Sequence, residues 1–536
     1  MEGDLAQSFN PIEGIDWGTK LPGLWITYHF LEPDADDEPG QTEKLQDIEF
    51  TPEAWTAYEK AQVAKAFETF SAITNLQFAE ASEDSAILKL AHGLFSAADA
   101  DTLGAFGPPG TGEEAGAGVF NTAGPSWSQN PGEALEQGGY GFDTLIHELG
   151  HGLGLAHPHD TGGGNSPIFP GVTDPFDSSG LYDLKQSIYT MMSYVDGWAT
   201  APEGVSPDKA YGWVGTPMAF DIAALQQKYG ANMEYHTGDD TYWLPDVNAS
   251  GTFYACIWDA GGTDTLAYAG ERDATIDLRP ASLEYAVGGG GYMSHALGVF
   301  GGFTIANGVV IENATGGSGD DTLIGNDAAN QLTGGAGDDV LAGLGGINLL
   351  DGGEGTDTAA YMLSRANYSV DFSEDGFQVR ALDGSAVDTL LSIEQLNFTE
   401  GTLLARGATD DGLAVGSLYR GLLGRAGDAE GYRYWTDTVE DTGLDGVIGG
   451  FLGSAEYATG LGGADTEGFV SALYSNLLGR EGEATGLEYW ANALEEGADR
   501  GIVTLGFIES AEYRQTQLTG LFDDISALGD VWGVSA

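Results

Sequence analysis

Residues 142–158 read FDTLIHELGHGLGLAHP, and the rest of the chain is best read outward from them. His147 and His151 are four residues apart, so on a helix their rings leave one face a turn apart and can meet a single ion. Glu148 follows the first histidine and is not needed as a ligand, which leaves it free to take a proton from a water molecule beside that ion. Gly154 lies three residues past His151, where a residue without a Cβ can adopt positive φ and turn the chain sharply out of the helix. That turn predicts the return of His157 as a third ligand. Three neutral imidazoles suit zinc, and a site with three protein ligands keeps one position open, the pattern of catalytic zinc. A bare HExxH pentapeptide arises by chance on ordinary amphipathic helices, whereas the full HExxHxxGxxH pattern, followed here by Pro158, does so far less often.

HELGHGLGLAHP resembles the metzincin metalloproteases, most of all their serralysin branch. That resemblance implies a methionine turn further on, and SIYTMMSY at 187–194 is similar to one. By resemblance Met192 forms the hydrophobic floor under the metal, with Met191 the competing choice. Tyr194 is then a displaceable fifth zinc ligand whose phenol would stabilise the oxyanion formed during peptide hydrolysis. The resemblance also implies an edge strand above the cleft at Leu103, Gly104, Ala105 and Phe106, which would pair with an extended substrate through main-chain hydrogen bonds.

A chain of 536 residues is long enough for three or four domains. Its 82 acidic against 19 basic residues give a net charge of −63, a surface that repels nucleic acid and anionic membrane. One cysteine, Cys256, excludes an intramolecular disulfide and reads as a buried small hydrophobe. The first residues, MEGDLAQSFN, lack a basic region and an apolar run, so no conventional signal peptide is expected, and no stretch is apolar enough for a membrane span.

Residues 15–30 read as a lead-in segment and a strand, and the resemblance begins near Trp17, leaving little upstream for a propeptide. Thr51-Pro52-Glu53 predicts a helix start, with Trp55, Tyr58, Ala66, Phe67, Phe70 and Ile73 on its apolar face. A strand follows near 85–90. The turn-rich loop after Pro158 would shape the primed side of the cleft, with His159 and Asp160 read as exposed loop positions in preference to supports behind the metal ligands or calcium residues. Residues 217–229 form a closing helix, whose first-turn Asp221 suits the helix dipole.

Beyond Asn232 the composition becomes rich in glycine and aspartate. HTGDDTY at 236–242 and DAGGTDTLAYAG at 259–270 resemble serralysin segments that bind calcium, which makes His236, Gly238, Asp240, Asp259, Gly261 and Asp264 candidate calcium residues. From Gly316 a nine-residue repeat is explicit: GGSGDDTLI, GNDAANQLT, GGAGDDVLA, GLGGINLLD, GGEGTDTAA. This resembles the RTX nonapeptide, which implies a parallel β-roll of turns and short strands. Glycines in the turns expose carbonyls and aspartates add carboxylates, a hard-oxygen set suited to calcium. Candidate ligands are Gly316, Gly317, Gly319, Asp321, Gly334, Gly335, Gly337, Asp339 and Asp357. Two repeats complete a coil, so Asp321, Asp339 and Asp357 fall on one stack, and Asn330 and Asn348 on the other, where weak or no binding is expected. Residues 361–405 alternate like capping strands.

The last region repeats internally at an offset of 55: YRGLLGRAGDAEGYRYW at 419–435 returns as YSNLLGREGEATGLEYW at 474–490. It resembles the DUF4214 module. Arg425 and Arg480 make either a structural ion pair, the favoured reading, or a contact to an acidic partner. The expected organisation is multidomain: an α+β metzincin catalytic domain at 1–235, an all-β RTX roll with capping strands at 236–408, an α-helical domain at 409–525, and a tail at 526–536 that could serve as an export signal. The function implied is a secreted, calcium-dependent zinc endopeptidase, with one catalytic Zn2+ and several structural Ca2+. Its expected partners are extended polypeptide substrates, the type I secretion machinery and a proteinaceous inhibitor, and it would act as a monomer. The rival reading is a calcium-stiffened adhesin with a vestigial first domain.

Overall fold

The computed structural model describes residues 8–33, 41–110, 112, 114–124, 127–373, 376–399, 401–404, 410–508, 510 and 512–513. The expected export tail at 526–536 lies outside them. The chain divides into two compact units, Met1–Thr322 and Leu323–Ala536.

In the first unit, alternation in WITYHF gives β1 (Trp25–Phe30), which buries Ile26, Tyr28 and Phe30. With β2 (Glu43–Leu45), β3 (Ile48–Pro52), β4 (Gln77–Glu80), β5 (Leu88–Phe95), β6 (Gly104–Phe106) and β7 (Ala117–Asn121) it forms a mixed sheet. β1 runs parallel to β4 and β5, and β5 runs parallel to β7. Among the described residues β6 pairs only with β7, antiparallel, so it is an edge strand.

Helix α1 (Ala57–Ile73) starts later than Thr51-Pro52 predicts. Pro52 closes β3 instead, paired with Gly93, and the helix is started by a capping box in which Thr56 and Glu59 satisfy each other's backbone N–H groups. Its buried face includes Val63, Ala66, Phe67, Phe70 and Ile73. The strand expected at 85–90 begins at Leu88, because Glu83–Ser85 forms a 3-10 turn. Helix α2 (Tyr140–Gly152) is buried along nearly its whole length and packs against α1, β6 and β7. Helix α3 (Ala219–Tyr229) ends on Gly230 at φ 78°.

Beyond Asn232 the first unit is rich in short parallel strands: Thr265–Ala267 pairs with both Thr241–Trp243 and Asn313–Thr315, and Tyr254–Ile257 with Gly302–Ile305. The Cys256 thiol is buried there and pushed up to about 12 by that burial, so it stays protonated and inert.

In the second unit the nine-residue repeats pair in parallel with an offset of 18: Leu332 lies opposite Leu350, and Val340 opposite Thr358. The eighth residues of the repeats within this unit, Leu323, Leu332, Leu341, Leu350 and Ala359, are fully buried, one per repeat. The sixth residues are buried too, and two of them accept from the backbone N–H of the counterpart 18 residues earlier, Asp357 Oδ1 from Asp339 N–H and Asn348 Oδ1 from Asn330 N–H, both at 2.9 Å. Asparagine and aspartate therefore serve the same backbone role. Antiparallel strands Tyr368–Ser373, Gly376–Ala381 and Ala386–Leu391 follow, as the alternation predicts. The helical segment runs from Asp410 to Ile508, and in it Arg425 pairs with Glu456 (2.6 and 2.9 Å) as Arg480 pairs with Glu512 (2.8 Å). Both arginines make structural ion pairs at equivalent places of the repeat.

Candidate metal centre

Helix α2 presents His147 and His151 on one face, and its end is set by Gly154, which takes φ 95° after Leu153 N–H closes on Leu149 and Gly150. The chain then turns back, and His157 Nε2 lies 3.2 Å from His147 Nε2 and 3.0 Å from His151 Nε2. A tetrahedral zinc bound at about 2.0–2.1 Å would separate its nitrogens by roughly 3.3–3.4 Å, close to this spacing.

The other ring nitrogens explain why the three meet. His147 Nδ1 faces the Met191 carbonyl at 2.8 Å, His151 Nδ1 the Leu155 carbonyl at 3.0 Å, and His157 Nδ1 the Asp160 carboxylate at 2.6 Å. Each Nδ1 must donate to such a partner, so each Nε2 carries a lone pair directed at the same point. Three converging lone pairs repel unless an electron-pair acceptor lies between them. Burial holds His147 well below the ordinary imidazole range and His151 at about 3, with neighbouring histidines adding to both shifts, so both are neutral and ready to ligate. The three histidines can hold a metal ion, and the donor set fits zinc.

Glu148 is buried beside them, and its Oε2 has no hydrogen-bond donor. Burial raises the carboxyl to about 8. β6 crosses directly above: a Cβ placed on Gly104 would sit 2.9 Å from Glu148 Cγ. The expected edge strand is thus Gly104–Phe106, with Leu103 outside it but still accepting from Asn121 N–H at 2.9 Å. Ala105 is half-buried on the strand, whereas the Phe106 ring turns inward against Gly118 and Gly152 and anchors the edge to the helix.

The 187–195 turn lies under α2. Met191 and Met192 both reach Gly150, whose missing side chain leaves room for them, with Met192 Sδ 2.8 Å and Met191 Cε 2.7 Å from the position of an added Cβ. Met192 supplies buried sulfur there, and Met191 also supplies the carbonyl that orients His147. Tyr194 stacks on His147 at 5.5 Å between ring centroids and lies 4.7 Å from His157. Burial, then the charges of Glu148 and Asp160, push its phenol up, so it is a hydrogen-bond donor at neutral pH.

Three residues differ from their sequence reading. Asp160 is not a plain loop position, because it fixes the His157 tautomer, and its carboxyl is held at about 2: burial pushes it up, but hydrogen bonds from His157 and Gly162 outweigh that. His159 stacks on His157 at 4.7 Å. Asp221 does more than suit the helix dipole: wholly buried, it accepts from Thr190 Oγ1 and Met191 N–H at 2.7 Å and from Met218 N–H at 2.9 Å, tying the methionine turn to α3. The spacing of aspartate to the third histidine gave a local signal for Asp160. Nothing local gave one for Asp221.

Of the candidate calcium residues, His236, Asp240 and Asp259 bring ligand atoms within 4.8 Å of one another. Asp264 Oδ1 accepts from Asp240 N–H at 2.8 Å, while its Oδ2 has no donor. Gly261 takes φ 134°, and at Gly238 a Cβ would meet open space. Asp321 accepts from Gly317 N–H and Ala274 N–H, at 2.5 and 2.6 Å. Gly316 and Gly319 lie in the same turn segment, before the strand that starts at Thr322. Gly334 and Gly335 fall within a strand rather than in the turn, while Gly337 takes φ 115°. A Cβ on Gly334 would press on the Asp339 carboxylate at 2.2 Å, and Asp357 Oδ2 has no donor.

Comparison with known proteins agrees with this geometry. The matrixin family matches residues 47–169, the serralysin C-terminal family of M10 peptidases matches 225–400, and the domain of unknown function DUF4214 matches 448–517. Residues 47–169 and 225–400 are thus similar to M10 peptidases, the second stretch to those of serralysin type. Metallopeptidase AprA of Pseudomonas marginalis is 35% identical over 276 residues, covering 48% of this chain and 52% of that protein. Serralysin C of Dickeya chrysanthemi is 34% identical over 212 residues, 36% of this chain and 39% of that protein. The serralysin of Photorhabdus luminescens is 33% identical over 311 residues, 55% of this chain and 58% of that protein. The chain therefore spans less than two thirds of each of these serralysin-type relatives. No helix among the described residues is long and apolar enough to cross a membrane.

Proposed function

We propose that the chain is a secreted, calcium-dependent zinc endopeptidase that hydrolyses extended polypeptides. The observation that carries this reading is the convergence of three Nε2 lone pairs, each ring oriented through its Nδ1, beside a buried carboxylate with a free oxygen. Zinc held by His147, His151 and His157 would supply Lewis acidity, polarising a carbonyl oxygen and acidifying water. Glu148 then takes the proton from the attacking water and passes it to the leaving amine. The Tyr194 phenol donates to the developing oxyanion. The outer edge of β6 aligns the substrate as an added strand, so main-chain hydrogen bonds hold it whatever its side chains.

The same reading assigns residues 236–408 to a calcium-bound RTX β-roll, 1–235 to the catalytic domain and 409–525 to the helical module. Support comes from the 18-residue parallel register and from the buried Asp339 and Asp357 carboxylates, which pack against Gly334 and Gly352, where any Cβ would collide with them. Export by the type I route would suit a roll that orders only where calcium is plentiful. The family matches favour the peptidase over the adhesin reading. Sequencing the products formed from a complex peptide mixture tests it: cuts at many sequences, all lost on zinc chelation, are expected, and an intact mixture would refute it.

A further inference from the structure

The loop between the third histidine and the methionine turn carries an exposed aromatic ring that the proposed chemistry does not use. Phe176 is 66% exposed, yet its ring stacks on Tyr194 at 5.2 Å and 22°. The phenol ring thus stacks with both Phe176 and His147, the latter at 5.5 Å and 28°. An exposed phenylalanine gains little from burial where it stands, so its place is set by the turn that presents it.

That turn is built around a lysine. The Lys185 side chain is fully buried, and its ammonium donates to the carbonyls of Asp174 (3.1 Å), Ser178 (3.1 Å) and Pro175. An ammonium has three donors, and three carbonyls from one five-residue segment use them all. The Asp174 carboxylate caps the same turn by accepting from Phe176 N–H at 2.8 Å and Asp177 N–H at 2.9 Å. At its other end, the Lys185 carbonyl accepts from Ser193 Oγ at 3.0 Å, one residue before Tyr194. Lys185 therefore ties together the segment that bears Tyr194 and the segment that covers it.

We propose that Phe176 is a positioning residue for Tyr194: its ring keeps the phenol beside the histidine triad, and Lys185 fastens the turn that holds it there. The kinetic part of this inference rests on the peptidase reading, and the spectroscopic part does not. Copper(II) accepts imidazole sites and gives a visible charge-transfer band with a phenolate oxygen at the metal. The copper(II)-loaded full chain should show such a band, with Tyr194→Phe setting its zero. Phe176→Ala should lose at least half of it and lower kcat about tenfold with KM little changed, a fraction of what loss of an oxyanion donor costs. Phe176→Tyr should restore both, and Lys185→Met should follow Phe176→Ala. Because Phe176 is exposed, its variants fold independently of the outcome. A Phe176→Ala protein with the wild-type band and kcat, or a wild-type protein without a Tyr194-dependent band, overturns the proposal. If no peptide is cleaved but the band behaves as expected, the peptidase reading fails and the positioning role stands.

Discussion

Glu148→Ala retains its metal and loses about 10²–10⁴-fold in kcat/KM on a quenched peptide, the contribution typical of a positioned general base. The structure separates the two properties. The imidazoles are oriented by the Met191 carbonyl, the Leu155 carbonyl and Asp160, none of which involves Glu148. Removing a carboxylate whose Oε2 has no donor also leaves no donor stranded at that atom, so the helix and the triad persist. The loss should therefore fall on turnover and not on metal content, and Glu148→Gln should behave alike, since an amide cannot take up the proton. A variant that cleaves at the wild-type rate would remove Glu148 from the reaction, and one that loses its metal would make it a ligand.

If the repeats hold calcium as proposed, its withdrawal is expected to open the repeat region while α2 stays protected. Between 316 and 360 there are eight acids and no lysine or arginine, and the described repeats bury one apolar side chain each at their eighth position. So thin a core cannot offset crowding of carboxylates without cations. When full-chain protein is moved into calcium-free buffer containing zinc, amide exchange across 323–398 should accelerate by about a hundredfold. That is the change expected on removing a ligand present at roughly 100 times its dissociation constant. Amides of α2 should exchange as before, because that helix is packed against α1 and the sheet. Unchanged exchange in 323–398 would show that the parallel register stands without calcium.

The metal centre was legible because its signal is local. Four-residue spacing, a glycine able to leave the helix and a third histidine six residues on lie within 17 residues, and the fold only has to form one helix for the rings to meet. The methionine turn was legible by resemblance, but its attachments were not. Asp221 and Met191 are 30 residues apart, and their hydrogen bond exists only once α3 has packed. Phe176 and Lys185 escaped for the same reason, since their link runs through backbone carbonyls that no residue type marks. At the start of α1 two local signals competed. Proline at 52 suits a first helical position or a strand end, and pairing of β3 with β5 decided for the strand, leaving Thr56 and Glu59 to cap the helix. In the repeats, the sixth-position side chain was read for its charge, whereas the structure uses its oxygen first to bind backbone N–H, a task asparagine performs equally.

The most direct measurement is elemental analysis of the purified full-length protein beside His157→Ala, after both are dialysed in metal-free buffer. Convergence of three oriented Nε2 atoms predicts one zinc per chain in the wild type and loss of most of it in the variant, with α2 still folded. Wild-type protein without a transition metal, or a variant that keeps its full zinc, would contradict the account.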